Sequence, residues 1–410
     1  MNVLRSAFCA GAAVAVLAGC GGGSTPPVRP AYSVLYSFKG GNDGRDPHAG
    51  LVNVNGTLYG TTEYGGGSCH ARCFGGTVSA ITTSGAETVL HSFVNRSGDG
   101  KDPRAGLIEV DGTLYGTTLV GGATCYCGTV FKVTLSGAET VLHSFAGEPD
   151  GVSPDAAVLL NVNGTLYGTT IHGGSGSCSK NGISGCGTVF SITTSGKESV
   201  LHRFAGKPDG ARPYAGLINV NGTLYGTTES GGANCSSRNG CGTVFTITTS
   251  GAEKVLYSFK GGSEDGEYPT QAGLLDVNGT LYGTTEYGGT NHWGTIFSIT
   301  TSGKETVLHS FGSTGDGVLP HGGLLDVNGT LYGTTSNGGT GSCLRYGDAH
   351  GCGTAFKITT SGKETVLHSF GSSGDGKYPY ASLINVNGTL YGTTTAGGAK
   401  DYGTVFSIMP

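Results

Sequence analysis

The chain has 410 residues, of which 79 are Gly and 12% are charged, with a formal net charge of −5. So much Gly, alongside many Thr residues, disfavours helices, because Gly and β-branched residues are poor helix formers. With 23 Lys and Arg against 28 Asp and Glu, the chain lacks the basic excess of a nucleic-acid-binding protein, so none is expected as a partner.

In chain order, residues 1–19 read as a signal peptide. Arg5 supplies the positive start, and Ala7 to Ala18 form an apolar stretch too short to span a bilayer. The segment ends in Leu17-Ala18-Gly19-Cys20, which resembles a bacterial lipobox. That resemblance implies lipidation of the Cys20 thiol, a lipid-anchored protein outside the cytoplasm and, with Gly21 rather than Asp after the Cys, an outer-membrane or cell-surface position. Residues 20–31 then read as the lipidated Cys and a Gly- and Pro-rich tether.

From residue 32 onward the chain repeats. The octapeptide Asn-Gly-Thr-Leu-Tyr-Gly-Thr-Thr, or its Asp-Gly variant, starts at Asn55, Asp111, Asn163, Asn221, Asn278, Asn328 and Asn387. Successive starts differ, by subtraction, by 56, 52, 58, 57, 50 and 59 residues, a period that points to a repeat architecture. In the unit 216–259, Gly216–Val220 predicts a short alternating strand. Asn221-Gly222 predicts a two-residue hairpin, since both positions tolerate positive φ. Thr223–Thr228, Gly242–Ile247 and Lys254–Phe259 predict the second, third and fourth strands. Four antiparallel strands make one propeller blade. The fourth-strand pattern also occurs at Val34, before the first octapeptide, while the chain stops just after a third strand. Pairing Tyr32–Phe38 with the last blade would close the ring and leave no open sheet edges. The expected fold is therefore all-β, a seven-bladed β-propeller over residues 32–410.

The order of strand, Asn-Gly, Leu-Tyr strand and Gly-Gly resembles a kelch repeat without its usual Trp. More closely, all seven units, over residues 32–408, resemble the GloVer tandem repeat of bacterial surface proteins. That resemblance implies a propeller-like surface protein and no particular activity or catalytic residues.

The loops after the second and fourth strands emerge on one face, which makes that face the candidate binding face. Each fourth strand is followed by Asp-Gly-x-x-Pro, from Asp43 to Asp375, read as a turn plus a stiff crossing rather than as calcium ligands. The longer second loops each hold two Cys. Even counts in single loops of an exported chain predict local disulfides Cys69–Cys73, Cys178–Cys186, Cys235–Cys241 and Cys343–Cys352, with zinc as the alternative. Cys125–Cys127 is the doubtful pair, because a bridge across one residue is strained. The fourth-strand His residues (His91, His143, His202, His309, His368) share their slot with Tyr36 and Tyr257 and read as packed, hydrogen-bonded side chains. The octapeptide tyrosines read as packing between blades.

Positions where the repeats differ are more informative. The residue after the repeated Pro reads His48, Arg104, Asp155, Tyr214, Thr270, His321 and Tyr380 around the ring. The second strands end in residues that include Glu63, Glu229 and Glu286, and Trp293 lies in a short loop of the same face. Aromatic groups beside carboxylates suit sugar or peptide recognition, by stacking plus hydrogen bonds. The leading expectation is a lipid-anchored, monomeric binding module for a glycan, cell-wall polymer or protein, with no cofactor or metal. The alternatives are a glycan hydrolase or lyase using the same funnel, with Glu63, Glu229, Glu286 or Asp155 as acid and base and His48 or His321 as a base, or a purely structural, adhesive surface protein.

Overall fold

The computed structural model describes residues 31–410 except 68–73, 95–97, 156–157, 181, 272, 313–314 and 344–350. Cys20 and the Cys69/Cys73 pair lie outside the described residues. Seven antiparallel four-stranded units follow one another along the chain. In the fourth, Ile218–Val220, Thr223–Thr228, Thr243–Ile247 and Glu253–Ser258 pair in sequence order. Asn221 and Gly222 have φ of 51° and 86°, the left-handed pair that an Asn-Gly hairpin needs. Ring closure is as expected: Tyr32–Ser37 pairs with Thr404–Ile408 as the outer strand of the seventh blade.

The octapeptide has a residue-by-residue physical reading. Its Tyr is buried in every blade, and Tyr59 packs with Leu107, Leu114 and Phe131 of the next blade. Its Gly makes room for a ring: a Cβ at Gly226 would stand 2.5 Å from the Phe245 ring, on the residue that pairs with it across the sheet. Blade one has Ser79 in place of that Phe, and a Cβ at Gly60 would meet Leu51 instead. The last Thr hydrogen-bonds the first Thr of the third strand in all seven blades; Thr228 and Thr243 are 2.8 Å apart and both fully buried.

The core lies in the seams between blades. Across six of them the outer-strand Phe of one blade meets the third-strand Phe of the next edge-to-face, as with Phe93 and Phe131 (centroids 5.0 Å) or Phe259 and Phe297 (5.1 Å). In the closing seam Phe38 packs with Leu51, Leu58 and Ile81 instead.

The inner strands are shorter than the sequence pattern suggests: Ile218–Val220 rather than Gly216–Val220. The segment before each one pairs separately with the extension of the second strand, as Gly210–Ala211 does with Ser230–Gly231. The physical reason is the residue before each repeated Pro. Asp46, Asp102, Ser153, Arg212, Tyr268, Leu319 and Tyr378 all have φ between 56° and 59°. A left-handed residue interrupts the ladder. The backbone N–H of this residue instead crosses to the preceding blade, as in Leu319 N–H to the Trp293 carbonyl (3.0 Å).

Candidate binding site at the channel mouth

A cavity of about 290 Å³ runs along the ring axis, lined by residues from all seven blades. Gly50, Gly106 and Gly216 admit close approach of the inner segments; a Cβ at Gly216 would lie 2.7 Å from the Val158 carbonyl oxygen. The residues after the repeated Pro stand above these, and His48, Arg104, His321 and Tyr380 line the cavity.

Neighbouring side chains in this circle touch one another. His48 Nε2 lies 3.1 Å from Glu63 Oε2, and Arg104 Nη2 donates to Glu63 Oε1 at 2.5 Å. Arg104 Nη1 reaches Asp155 Oδ2 at 3.7 Å. On the other side the Tyr380 ring sits between two imidazoles, 5.2 Å from His48 and 4.7 Å from His321. His321 Nε2 is 3.9 Å from Glu286 Oε1. Charged and aromatic groups thus occupy opposite arcs of one mouth, joined at His48.

Glu63 is the hub of the charged arc. Its side chain is only 2% exposed. Burial by itself would raise its carboxyl, but the hydrogen bond and charge of His48, with the charge of Arg104, outweigh that and bring it to about 2. Glu63 therefore stays ionised at neutral pH and holds no proton to give. Asp155 is also buried, and desolvation raises it despite the opposing pull of Arg104. Arg104, with a third of its side chain exposed, is the charged member of this arc that reaches solvent most.

The remaining sequence candidates fall elsewhere. Glu229 pairs with Arg212, the residue before the repeated Pro, through Nε at 2.9 Å. Tyr214 is raised by burial and then by the charges of Glu229 and Asp155. Thr270 is buried and hydrogen-bonded to Thr284 (2.8 Å). The Trp293 indole lies against Gly312 beyond the outer strand, where an added Cβ would meet it at 2.8 Å, and it does not line the axial cavity.

The repeated Asp and the fourth-strand His form their own pattern at the outer edge. Asp150 accepts from His143 (3.1 Å) and from Ala146 N–H (2.9 Å), and Asp265 accepts from the Tyr257 hydroxyl (2.9 Å) and Lys260 N–H (2.8 Å). The carboxylate thus fastens the outer-strand exit. Four disulfides are present among the described residues: Cys178–Cys186, Cys235–Cys241, Cys343–Cys352 and also Cys125–Cys127, the pair doubted from spacing.

The sequence model of the Gloeobacter/Verrucomicrobia repeat matches residues 24–181, 176–346 and 236–410, which together cover the whole ring. The chain belongs to this repeat family. None of the curated proteins matches it. Among solved structures it is similar to PorZ of Porphyromonas gingivalis, a bacterial surface component of the type-IX secretion system. That match has 13% identity and a TM-score of 0.51, and covers 91% of this chain and 47% of PorZ. The chain thus spans about half the length of PorZ. It is also similar to YjhT (14% identity, TM-score 0.45, 81% and 99% covered). A gluconolactonase of Xanthomonas campestris matches with 14% identity, a TM-score of 0.39 and 72% and 82% covered. At these identities the likeness shows the propeller fold alone. The four disulfides suggest a place outside the reducing cytoplasm. No helix among the described residues is long and apolar enough to cross a membrane.

Proposed function

We propose that this family member is an extracytoplasmic recognition propeller that binds a carbohydrate chain at its channel mouth. The observation that carries the reading is the His48–Tyr380–His321 aromatic arc facing the Arg104–Glu63 pair across one cavity. Ring faces stack on the apolar faces of sugars, and fixed charged groups hydrogen-bond their hydroxyls. Both halves of such a site are held before any ligand arrives, which lowers the ordering cost of binding. The ionised state of Glu63 weighs against its use as a general acid. The lipobox-like Leu17–Cys20 segment supports display from a membrane through a lipidated Cys20. Mass spectrometry of the membrane-extracted protein would detect the acyl chains, and an unmodified Cys20 would sink that part.

The test of the binding reading is an array of glycans and cell-wall polymers probed with the purified protein and with a His48→Ala, His321→Ala, Tyr380→Ala variant. Saturable binding to a glycan that the folded variant loses is the expected result. Binding that survives in the variant would move the site away from the mouth. Binding of proteins but no glycan would overturn the carbohydrate reading.

A further inference from the structure

The outer edges of the blades carry a second constellation that the mouth does not use. At six of the seven seams the fourth-strand His or Tyr of one blade and the Asp of the following turn face a Glu that opens the fourth strand of the next blade. At the closing of blade seven, Tyr32 takes the place of that Glu and stacks on His368. In three consecutive seams one ligand atom from each residue lies within 4.8 Å of the other two: His91, Asp99 and Glu139; His143, Asp150 and Glu198; His202, Asp209 and Glu253. These seams join blades one to four.

Two features separate these clusters from ordinary hydrogen-bonded side chains. The first is a surplus of buried lone pairs. In the first seam His91 Nε2, Asp99 Oδ1 and Glu139 Oε1 are all buried with no hydrogen-bond partner among the described residues. In the second, Asp150 Oδ1 and Glu198 Oε1 are in the same condition. In the third, Glu253 Oε1 is, on a side chain only 10% exposed, while its Oε2 lies 4.0 Å from His202 Nε2. Orphaned buried polar atoms cost free energy, and two close carboxylates repel. A proton satisfies one oxygen, whereas a divalent cation takes all three lone pairs at once. The second feature is a built-in contrast. Where Tyr replaces His, its hydroxyl donates to the Asp, as Tyr36 does to Asp43 (2.6 Å) and Tyr257 to Asp265 (2.9 Å). The phenol settles the Asp carboxylate without offering an imidazole ligand, while the Glu oxygen (Glu87 Oε1, Glu305 Oε1) is unpartnered in these seams too.

We propose that the three seams between blades one and four each bind a divalent transition-metal ion of the zinc class, through one imidazole and two carboxylates, with water completing the shell. One imidazole with carboxylates suits Zn²⁺ and its stand-in Co²⁺, and suits Ca²⁺ poorly, since that ion takes oxygen ligands. Each ion ties two blades together at the edge farthest from the axis. Binding to the folded state alone then stabilises the ring by mass action.

The test is calorimetric titration of oxidised, chelator-treated protein without a polyhistidine tag, using Zn²⁺, with Co²⁺ absorption as the spectroscopic readout. Three equivalents of Zn²⁺, visible Co²⁺ bands and a raised thermal midpoint are expected. The variants are His91→Tyr, His143→Tyr and His202→Tyr, which install the arrangement two other seams already use. Each single change should remove one equivalent, and the triple change all three. If the triple variant does not fold, the corresponding Glu139→Gln, Glu198→Gln, Glu253→Gln variant is read the same way. No saturable Zn²⁺ uptake by the parent protein, or uptake unchanged in the folded triple variant, would overturn the proposal.

Discussion

Replacing Glu63 by Gln offers a quantitative test of the mouth. The side chain is 2% exposed, and His48 and Arg104 hold its carboxyl at about 2 against an ordinary 4.5. Because the folded value is depressed, the stabilisation is fully present above pH 4.5 and is lost as the pH falls from 4.5 towards 2. At 1.36 kcal/mol per pH unit, that gap corresponds to about 3.4 kcal/mol at neutral pH. A ring of about 380 residues unfolds with an entropy of roughly 0.8 kcal/mol per kelvin, so the midpoint should fall by about 4 °C. Gln cannot ionise, so of the two carboxylates beside Arg104 only Asp155, at 3.7 Å, can still carry charge. Thermal melts of the parent and the Glu63→Gln variant, followed by circular dichroism from pH 7 down to pH 2, give the difference directly. A gap of about 4 °C at pH 7 that closes as the pH approaches 2 is expected. A gap that stays the same across this range would refute the reasoning, since steric loss does not titrate.

Three further outcomes follow from packing within and between blades. Phe297 is fully buried edge-to-face on Phe259, and Phe297→Ala should cost about 3–5 kcal/mol in denaturant melts; a loss below 1 kcal/mol would mean that the seam collapses freely. Thr228→Val strips Thr243 of its 2.8 Å hydroxyl contact and its N–H of an acceptor, and leaves the Ser230 carbonyl short of a donor. It should cost about 1–3 kcal/mol despite the near-equal volume. At Glu364, burial and then the Asp316 charge push the carboxyl up to about 7, so its contribution is fully present below pH 4.5 and is lost as the pH rises to 7. Glu364→Gln, which stays neutral, should therefore gain in midpoint relative to the parent between pH 4.5 and 7; a flat difference across that window would contradict it.

Much of the architecture was legible because each unit states its own rules locally. Asn-Gly dictates a left-handed turn, alternation dictates strand faces, and the stray fourth-strand pattern at Val34 dictates how the ring closes. Seven copies of a local rule are hard to misread. The pairs that make the sites were less legible, because their members are distant in sequence or follow different rules. Arg104 was a visible candidate, but its grip on Glu63, 41 residues earlier, depends on the second strand of one blade meeting the approach segment of the next. Arg212 precedes the repeated Pro rather than following it, so its pairing with Glu229 is visible only in the fold. Trp293, singled out by its rarity, lies against Gly312 instead.

The fourth-strand Glu illustrates the same division. It opens the fourth strand in six of the seven repeats and carries no local signal of its partners. Only the stacking of blades brings Glu139 to Asp99 and His91, 40 and 48 residues away by subtraction. By itself, the sequence determined the repeat, the strand order, the closure of the ring and the positions allowed to vary, since these follow from backbone propensity and period. The tertiary structure decided which varied residues touch, which carboxylates stay ionised and which lone pairs lack partners. Those properties depend on distances and burial between blades, and no single repeat contains them.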